Sequence, residues 1–451
     1  MNKEELNRHD HVRELLERRD FGKLRDLISG LYPADAEELF EEMSEKERLI
    51  VFRLLPKDEA AEIFVEMQPE MQQSLINSFT DRELSEVLDE LYVDDAADIV
   101  GEMPAAVVTR MLKAADPKTR YEINRILRYP QDSAGSVMTT EFVKLRESMT
   151  ISQAFEKIRR VGPDSETVYT CYVTDSSLLI GVITVKAMLL APEGSTVSEL
   201  MERDVISIGT HDDKEKAVEL MSKYDLLALP VVDAENRLVG IVTIDDAIDV
   251  LREEMTEDIE KMAAIATTDK PYLKTSVVST WLKRMPWLAL LMISATFTGT
   301  IIASYENALA NAVILTAFIP MLMDTGGNAG SQVSVTVIRG LSLGEITLRD
   351  IFSVMRKEFC VSLLCGGSLA LLGFAKLILI DHTGINVAAT VAITLLAAVI
   401  FAKLIGCVLP IIVKSVGLDP ALVSSPLITT IADAVSLMIY FRVATVLIPN
   451  F

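Results

Sequence analysis

Apolar positions change their period twice along this chain of 451 residues. Over 1–130 they recur at helical spacing in short runs, which predicts a helical domain and no strands. Over 131–250 short apolar runs alternate with helical patterns, the signature of strand–helix units. A long amphipathic segment comes next. Five apolar stretches come last, near 285–304, 310–338, 358–380, 386–413 and 421–447. Each is long enough to cross a hydrocarbon core of ~30 Å, which takes ~20 helical residues. The second and fourth exceed that length, so tilt, a break or a protruding end is expected there. The fold class read from this pattern is a multidomain membrane protein. Its parts are an all-α superhelical domain (1–130), two α/β repeats (131–195 and 196–250), a connecting helix with a linker (251–280), and a transmembrane domain of five helices (281–451).

Two internal repeats support those divisions. In the helical domain AEELFEEM (36–43), AAEIFVEM (60–67) and AADIVGEM (96–103) are self-similar. Pro33, Pro56 and the pair Asp94–Asp95 stand where helices start. Short helices repeating in this way stack into a small superhelix. In the second part Ala154 aligns with Ala217 and Ile158 with Met221, and GVITVKAML (181–189) aligns with GIVTIDDAI (240–248). Each copy closes with a strand, a Gly, a second strand ending in Thr, and a helix. This pattern resembles a tandem pair of CBS domains, a regulatory module that often binds adenine nucleotides. In nucleotide-binding members the Thr and an Asp three residues later contact the ribose. The second copy has both, as Thr243 and Asp246; the first has Thr184 but Ala187. The resemblance therefore implies at most one such site, with ATP as a modulator, and a purely structural pair stands beside it.

Charge divides the chain in two. The net charge is −22, yet residues 281–451 hold 10 basic and 8 acidic residues, leaving 33 basic and 57 acidic in 1–280. That acidity argues against nucleic acid or anionic lipid as a partner of the first part. It fits a binder of divalent cations, or an ordinary acidic soluble domain. The first twenty residues are charged and contain no apolar segment, so the expectation is a cytosolic N-terminal part. Lys283, Arg284, Arg339, Arg349, Arg356, Lys357 and Lys414 fall in loops on the same side, whereas the opposite loops carry Glu306, Asp381 and His382. The positive-inside rule agrees with that orientation and places Phe451 outside a bacterial cytoplasmic membrane. The four cysteines and four histidines show no metal-site spacing, and no Walker A motif occurs. Neither a zinc hydrolase nor a P-loop ATPase is expected, and an enzyme is the least favoured class.

Polar residues inside the apolar stretches carry the chemistry. Asp433 sits midway along the last of them. A carboxylate at the centre of a spanning helix costs roughly 3 kcal/mol and usually belongs to an ion or proton pathway. A buried pair with Lys376, Lys403 or Arg442 is the plainer alternative. Ser425, Thr429, Asp433, Ser436 and Tyr440 recur at helical spacing, and Pro426 is expected to free carbonyls near Thr430. In the second stretch Asp324, Asn328 and Gln332 repeat at i, i+4 and i+8 beside Gly326, Gly327 and Gly330. The glycines permit close helix approach or a local break. All of these donors are oxygens, which suit hard cations such as Mg²⁺; a sparse ring suits a hydrated ion. Between repeat and membrane, Asp245, Asp246, Asp249, Glu253, Glu254, Glu257 and Asp258 crowd one helix with little counter-charge. They form either a solvated face or a cation sensor.

The order of parts then becomes diagnostic: acidic superhelix, PQDSAGSVM (130–138), the repeat pair, the acidic helix, PMLMDTGGNAGSQ in the second stretch and DPALVSSPLITTIAD at the fifth. The whole chain resembles the MgtE family of bacterial magnesium channels and transporters. The resemblance implies a homodimer in a lipid bilayer, with an ion path lined by the second and fifth crossings of both subunits. Asp433 takes the position of the pore aspartate, and Asn328 with the neighbouring Gly327 matches the second-crossing motif; Thr429, Asp324 and Gln332, read from the helical stripes, are the other expected pore residues. Asp419 takes that of an acid at the cytosolic mouth. The long acidic helix takes that of a plug helix. The sensing carboxylates implied are Asp94, Asp95 and Asp98 on the helical domain, with Asp245, Asp246, Asp249, Glu254, Glu257 and Asp258 on the helix. The implied function is passive Mg²⁺ uptake shut off by Mg²⁺ on the cytosolic side. The alternatives are a transporter of Mn²⁺, Co²⁺ or Ni²⁺, or a membrane sensor that conducts nothing.

Overall fold

The fold comes from a computed structural model, which describes residues 3–448 apart from 42, 268–271, 274 and 424. The side chains of 3–10 and 311 are also left undescribed, so the break expected at Pro271, the placement of Phe451 and the side chain of His9 lie outside the described residues. The chain forms two compact units, 1–251 and 252–451.

The first unit begins with ten helices: α1 (Lys3–Arg18), α2 (Phe21–Ile28), α3 (Pro33–Glu41), α4 (Glu45–Phe52), α5 (Lys57–Glu66), α6 (Pro69–Ser78), α7 (Asp81–Leu88), α8 (Val93–Glu102), α9 (Ala105–Ala114) and α10 (Pro117–Ile126). The repeats seen in the sequence are α3, α5 and α8, each opening beside its Pro or Asp pair. Capping boxes Ser44/Glu47 and Thr80/Glu83 fix the starts of α4 and α7 by satisfying backbone donors that the first helical turn leaves open. Alternate helices pack in sequence, α3 on α5, α5 on α7 and α6 on α8. Their apolar faces share one core in which the rings of Phe52, Phe64 and Phe79 meet.

Two three-stranded sheets come next, with the same topology. In the first, β1 (Phe142–Leu145) lies parallel to β2 (Thr167–Asp175), which turns antiparallel into β3 (Leu178–Thr184). In the second, β4 (Ile208–Gly209), β5 (Ala228–Val232) and β6 (Leu238–Thr243) repeat the arrangement. Helices α11 (Ile151–Val161), α12 (Val185–Leu189), α13 (Val197–Leu200) and α14 (Lys214–Tyr224) complete the two halves. The aligned Ala154 and Ala217 are both fully buried. Main-chain bonds cross from one half to the other, Leu179 N–H to Asn236 O and Leu238 N–H to Ser177 O, so the halves form one body.

Helix α15 (Ile244–Met262) begins in the first unit and ends in the second. Beyond it lie α16 (Val277–Ser304), α17 (Glu306–Asn311), α18 (Ile319–Ser342), α19 (Ile351–Leu379), α20 (Ile385–Ser415) and α21 (Ser425–Leu447). Among the described residues, four helices are long and apolar enough to cross a membrane: α16, α19 extended back to Leu348, α20 and α21. Helix α18 has the length, 24 residues or about 36 Å, but its polar stripe and glycines make it less apolar than those four. The second apolar stretch, expected to be helical from 310, instead opens with the short α17 and a 3₁₀ segment, Val313–Phe318. Its long helix starts only at Ile319.

Helix α18 is continuous through its glycines, so these serve close packing and break nothing. A methyl group on Gly406 of α20 would collide with the backbone carbonyl of Gly330. Because a backbone atom cannot swing aside, Gly406→Ala should separate α18 from α20, a cost of ~1–3 kcal/mol for overpacking. The expected result is a lower melting temperature of the detergent-solubilised protein.

Candidate functional site

In the first unit a cavity of about 900 Å³ opens between the helical domain and the strand-bearing halves. Among the described residues, fourteen carboxyl side chains line it against one lysine, Lys118. Five of the nine expected sensor acids are among them: Asp94 and Asp95 from the start of α8, and Asp245, Asp246 and Asp249 from the start of α15. Asp98 is exposed one turn further along α8 and does not line the cavity. Glu254, Glu257 and Asp258 lie in the second unit. The sequence reading missed Glu62, Glu66, Glu141 and Glu166, among others, because only the fold brings them here.

The cavity is electrostatically frustrated. Burial first, then the Asp246 carboxylate, pushes Asp95 up to about 7. Burial, followed by Asp94 and Asp95, pushes Glu166 up to about 9. Asp94 and Asp246 are raised by burial and by carboxylate neighbours, Asp95 and Asp94 respectively. Asp94 Oδ1 and Glu166 Oε2 are buried and accept no hydrogen bond. Oxygens in that condition fit a cation ligand. Among the described residues, no three His, Cys, Asp or Glu side chains are arranged to hold a metal ion directly. A hydrated ion asks less, since Mg²⁺ keeps several waters and takes one or two carboxylates.

These shifts set a pH dependence. A buried carboxyl whose pKa is raised favours the compact form while protonated. That contribution is complete below about pH 4, where a free carboxyl ionises. It is lost as pH climbs through the raised values, about 7 for Asp95 and about 9 for Glu166. With divalent cations chelated, the melting temperature of unit 1 should therefore fall from acidic to alkaline pH. Mg²⁺ binding near neutral pH should release protons, read by calorimetry in buffers of different ionisation enthalpy. Binding without proton release would contradict the assignment.

Thr243, expected at a nucleotide site, is buried at the end of β6 and donates its hydroxyl to Asp246 at 2.6 Å. In the first copy Thr184 caps the N–H of Ala187 at 3.1 Å. The Thr–Asp pair thus survives in one half only, and its Asp is also a wall of the acidic cavity.

In the second unit α21 lies against α18. A methyl group on Gly327 would stand 3.2 Å from Thr429 Cβ and 3.5 Å from Asp433 Oδ1. The absent side chain is what lets the aspartate approach α18. Ser425 and Ser331 join the two helices by hydroxyls 2.8 Å apart. Asp433 has neither of two proposed lysine partners, because Lys376 pairs with Asp381 at 2.6 Å and Lys403 with Glu358 at 3.7 Å. Asp324, Asn328 and Gln332 share an exposed face of α18, as their spacing requires, and line a cavity of about 590 Å³ walled by α19 and α20. Helix α18 thus presents its polar stripe on one side and its glycines to α21 on another, with Gly327 facing Asp433. Pro426 frees no carbonyl inside the helix. It falls in the first turn of α21, where an N–H has no intrahelical partner in any case, and its own carbonyl accepts the hydroxyls of Thr429 and Thr430. Asp419 caps the 3₁₀ turn before α21 by accepting from Ala421 N–H, and meets Lys261 near the end of α15.

A membrane unit with an intramembrane carboxylate, on one chain with a cavity walled by acids, defines a cation transporter that carries its own acidic regulatory part. Comparison with known sequences narrows this. Family profiles match at 31–132 (MgtE intracellular N domain), 134–194 and 197–253 (CBS domain) and 319–443 (MgtE, divalent cation transporter). The magnesium transporter MgtE of Thermus thermophilus is 38% identical, over 97% of this chain and 98% of its own length. That of Bacillus subtilis is 34% identical over 95% of each. A crystal structure of the cytosolic domain of the Mg²⁺ channel MgtE in complex with ATP shares 38% identity; it covers 54% of this chain and 99% of its own, with a TM-score of 0.52. The chain belongs to the MgtE family.

Proposed function

We propose that this chain is a Mg²⁺-selective channel of the cytoplasmic membrane, admitting Mg²⁺ passively and closing when Mg²⁺ binds its acidic cytosolic part. The observation that carries the reading is the acidic cavity with its orphaned oxygens, on the same chain as an aspartate seated against a glycine of the neighbouring membrane helix. With free Mg²⁺ low, the cavity's carboxylates repel one another and the compact arrangement is disfavoured. With Mg²⁺ high, bound ions bridge α8 and α15 and hold it. A ligand shifts an equilibrium only through differential affinity, and several weak sites complete only in the compact form supply that. Relatives named as magnesium transporters favour Mg²⁺ over Mn²⁺, Co²⁺ or Ni²⁺ as cargo, and favour conduction over a silent sensor.

The finer assignments belong to this proposal. The exposed polar face of α18 is incomplete in one chain, so the pore is taken to form between two copies, with α18 and α21 of each lining it through Asp433, Thr429, Gly327, Asn328, Asp324 and Gln332. With α18 taken as a crossing, second in chain order after α16, the crossings number five, and on this reading the C-terminus lies outside and Asp419 at the cytosolic mouth. ATP, present in a related cytosolic domain, would act through Thr243 and Asp246 as a modulator and not as a fuel. No catalytic role is assigned.

Purified protein in liposomes loaded with a Mg²⁺-sensitive dye tests the reading. Mg²⁺ should enter down its gradient without nucleotide, and faster than Co²⁺ or Ni²⁺. Uptake that requires ATP, or that prefers another divalent ion, would overturn it.

A further inference from the structure

The carboxyl-terminal part of α15 carries a contact that the acidic cavity does not explain. Lys261 Nζ stands 2.8 Å from Asp419 Oδ2 and 2.8 Å from Glu257 Oε1, with its side chain 24% exposed. Asp419 is held in place as it receives this ammonium, since its other oxygen caps Ala421 N–H at 2.8 Å. Asp258, beside Glu257, accepts a long hydrogen bond of 3.4 Å from Ser342, at the end of α18. Three carboxylates, Glu257, Asp258 and Asp419, thus crowd one place, and among the described residues Lys261 is a cation bonded to two of them. All of these groups belong to the second unit, so the contact is internal to it.

Charges of one sign brought together this closely repel, and a partly buried cation bonded to two of them offsets that repulsion. We infer that Lys261 is a positioning residue, a tethered counter-cation that latches the end of α15 onto the mouth carboxylate Asp419. It supplies in the closed state a charge that a bound Mg²⁺ would otherwise have to supply. This inference rests on the gating reading above. The latch biases the channel toward closure, so Mg²⁺ at the acidic cavity has less left to do. When α15 leaves, the ammonium goes with it and Asp419 is free to face an entering cation.

Full-length protein in liposomes tests this, with Mg²⁺ titrated on the cytosolic face and each variant normalised to its own flux at low Mg²⁺. Lys261→Gln should keep low-Mg²⁺ flux, and its half-closing Mg²⁺ concentration should rise by about fivefold, the scale of one well-formed ion pair. Lys261→Arg should close as the wild type does. In an Asp419→Asn background Lys261→Gln should add no further shift, and the swapped pair Lys261→Asp with Asp419→Lys should close closer to the wild type than either single change. A Lys261→Gln protein that closes at wild-type Mg²⁺, or that shifts equally with and without Asp419, overturns the latch alone. A wild type that never closes with Mg²⁺ overturns both the gating reading and the latch.

Discussion

Replacing Asp433 with alanine should reduce Mg²⁺ flux to that of protein-free liposomes. The aspartate is the acid of α21, and the missing side chain at Gly327 lets its Oδ1 approach α18. A divalent cation at a carboxylate ~8 Å away gains roughly 4 kcal/mol at an effective dielectric constant of ~20, about a thousandfold in occupancy. Thr429, one turn before Asp433 on α21, can replace water around the ion, but it carries no charge to replace that attraction. Asp433→Asn, which keeps the shape and removes the charge, should be nearly as damaging. An active Asp433→Asn protein would mean that packing against Gly327, and not charge, is what the position supplies. Both variants should extract and elute as the wild type does, since neither asks α18 to move.

Neutralising the acidic cavity should give the opposite phenotype. With Asp95→Asn and Asp246→Asn together, flux at low Mg²⁺ should persist while shut-off at high Mg²⁺ is lost. Each of these carboxyls is raised by burial and by neighbouring acids, so removing them relieves repulsion and removes the ligands at once. The chelated protein should therefore melt no lower than the wild type, and added Mg²⁺ should raise its melting temperature less. Normal shut-off in this double variant would remove the cavity from the gating account. A double variant with no flux at low Mg²⁺ would mean that relieved repulsion alone closes the channel, and that protons or neutral amides can stand in for Mg²⁺.

How much of this was legible in the sequence depends on how local each signal is. The repeated helices α3, α5 and α8 and the aligned Ala154 and Ala217 show because packing dictates residue size at fixed spacing. The stripe of Asp324, Asn328 and Gln332 shows for the same reason, since helical periodicity places them on one face whatever surrounds them. Helix starts inside apolar sequence do not show: residues 310–318 are as apolar as the start of α18, and only tertiary structure makes them a short helix and a 3₁₀ segment. Pro426 was misread on that account, because its effect depends on whether it stands in the first turn or the third. The acidic cavity was half visible. Asp94, Asp95 and the start of α15 carry the family pattern, but Glu62 sits on a repeated helix whose acids face solvent by default, and Glu166 stands in the bend just before β2 with no local mark. The partner of Lys261 lies 158 residues away, beyond the reach of any periodicity.

The central claim is that one chain conducts Mg²⁺ and is closed by it. The most direct measurement is Mg²⁺ uptake by the wild type in liposomes of uniform orientation, with Mg²⁺ varied on the cytosolic face and no nucleotide present. The account predicts uptake that is fast at low cytosolic Mg²⁺ and falls steeply to baseline as that concentration rises. Uptake that ignores cytosolic Mg²⁺, or no uptake at any concentration, would contradict it.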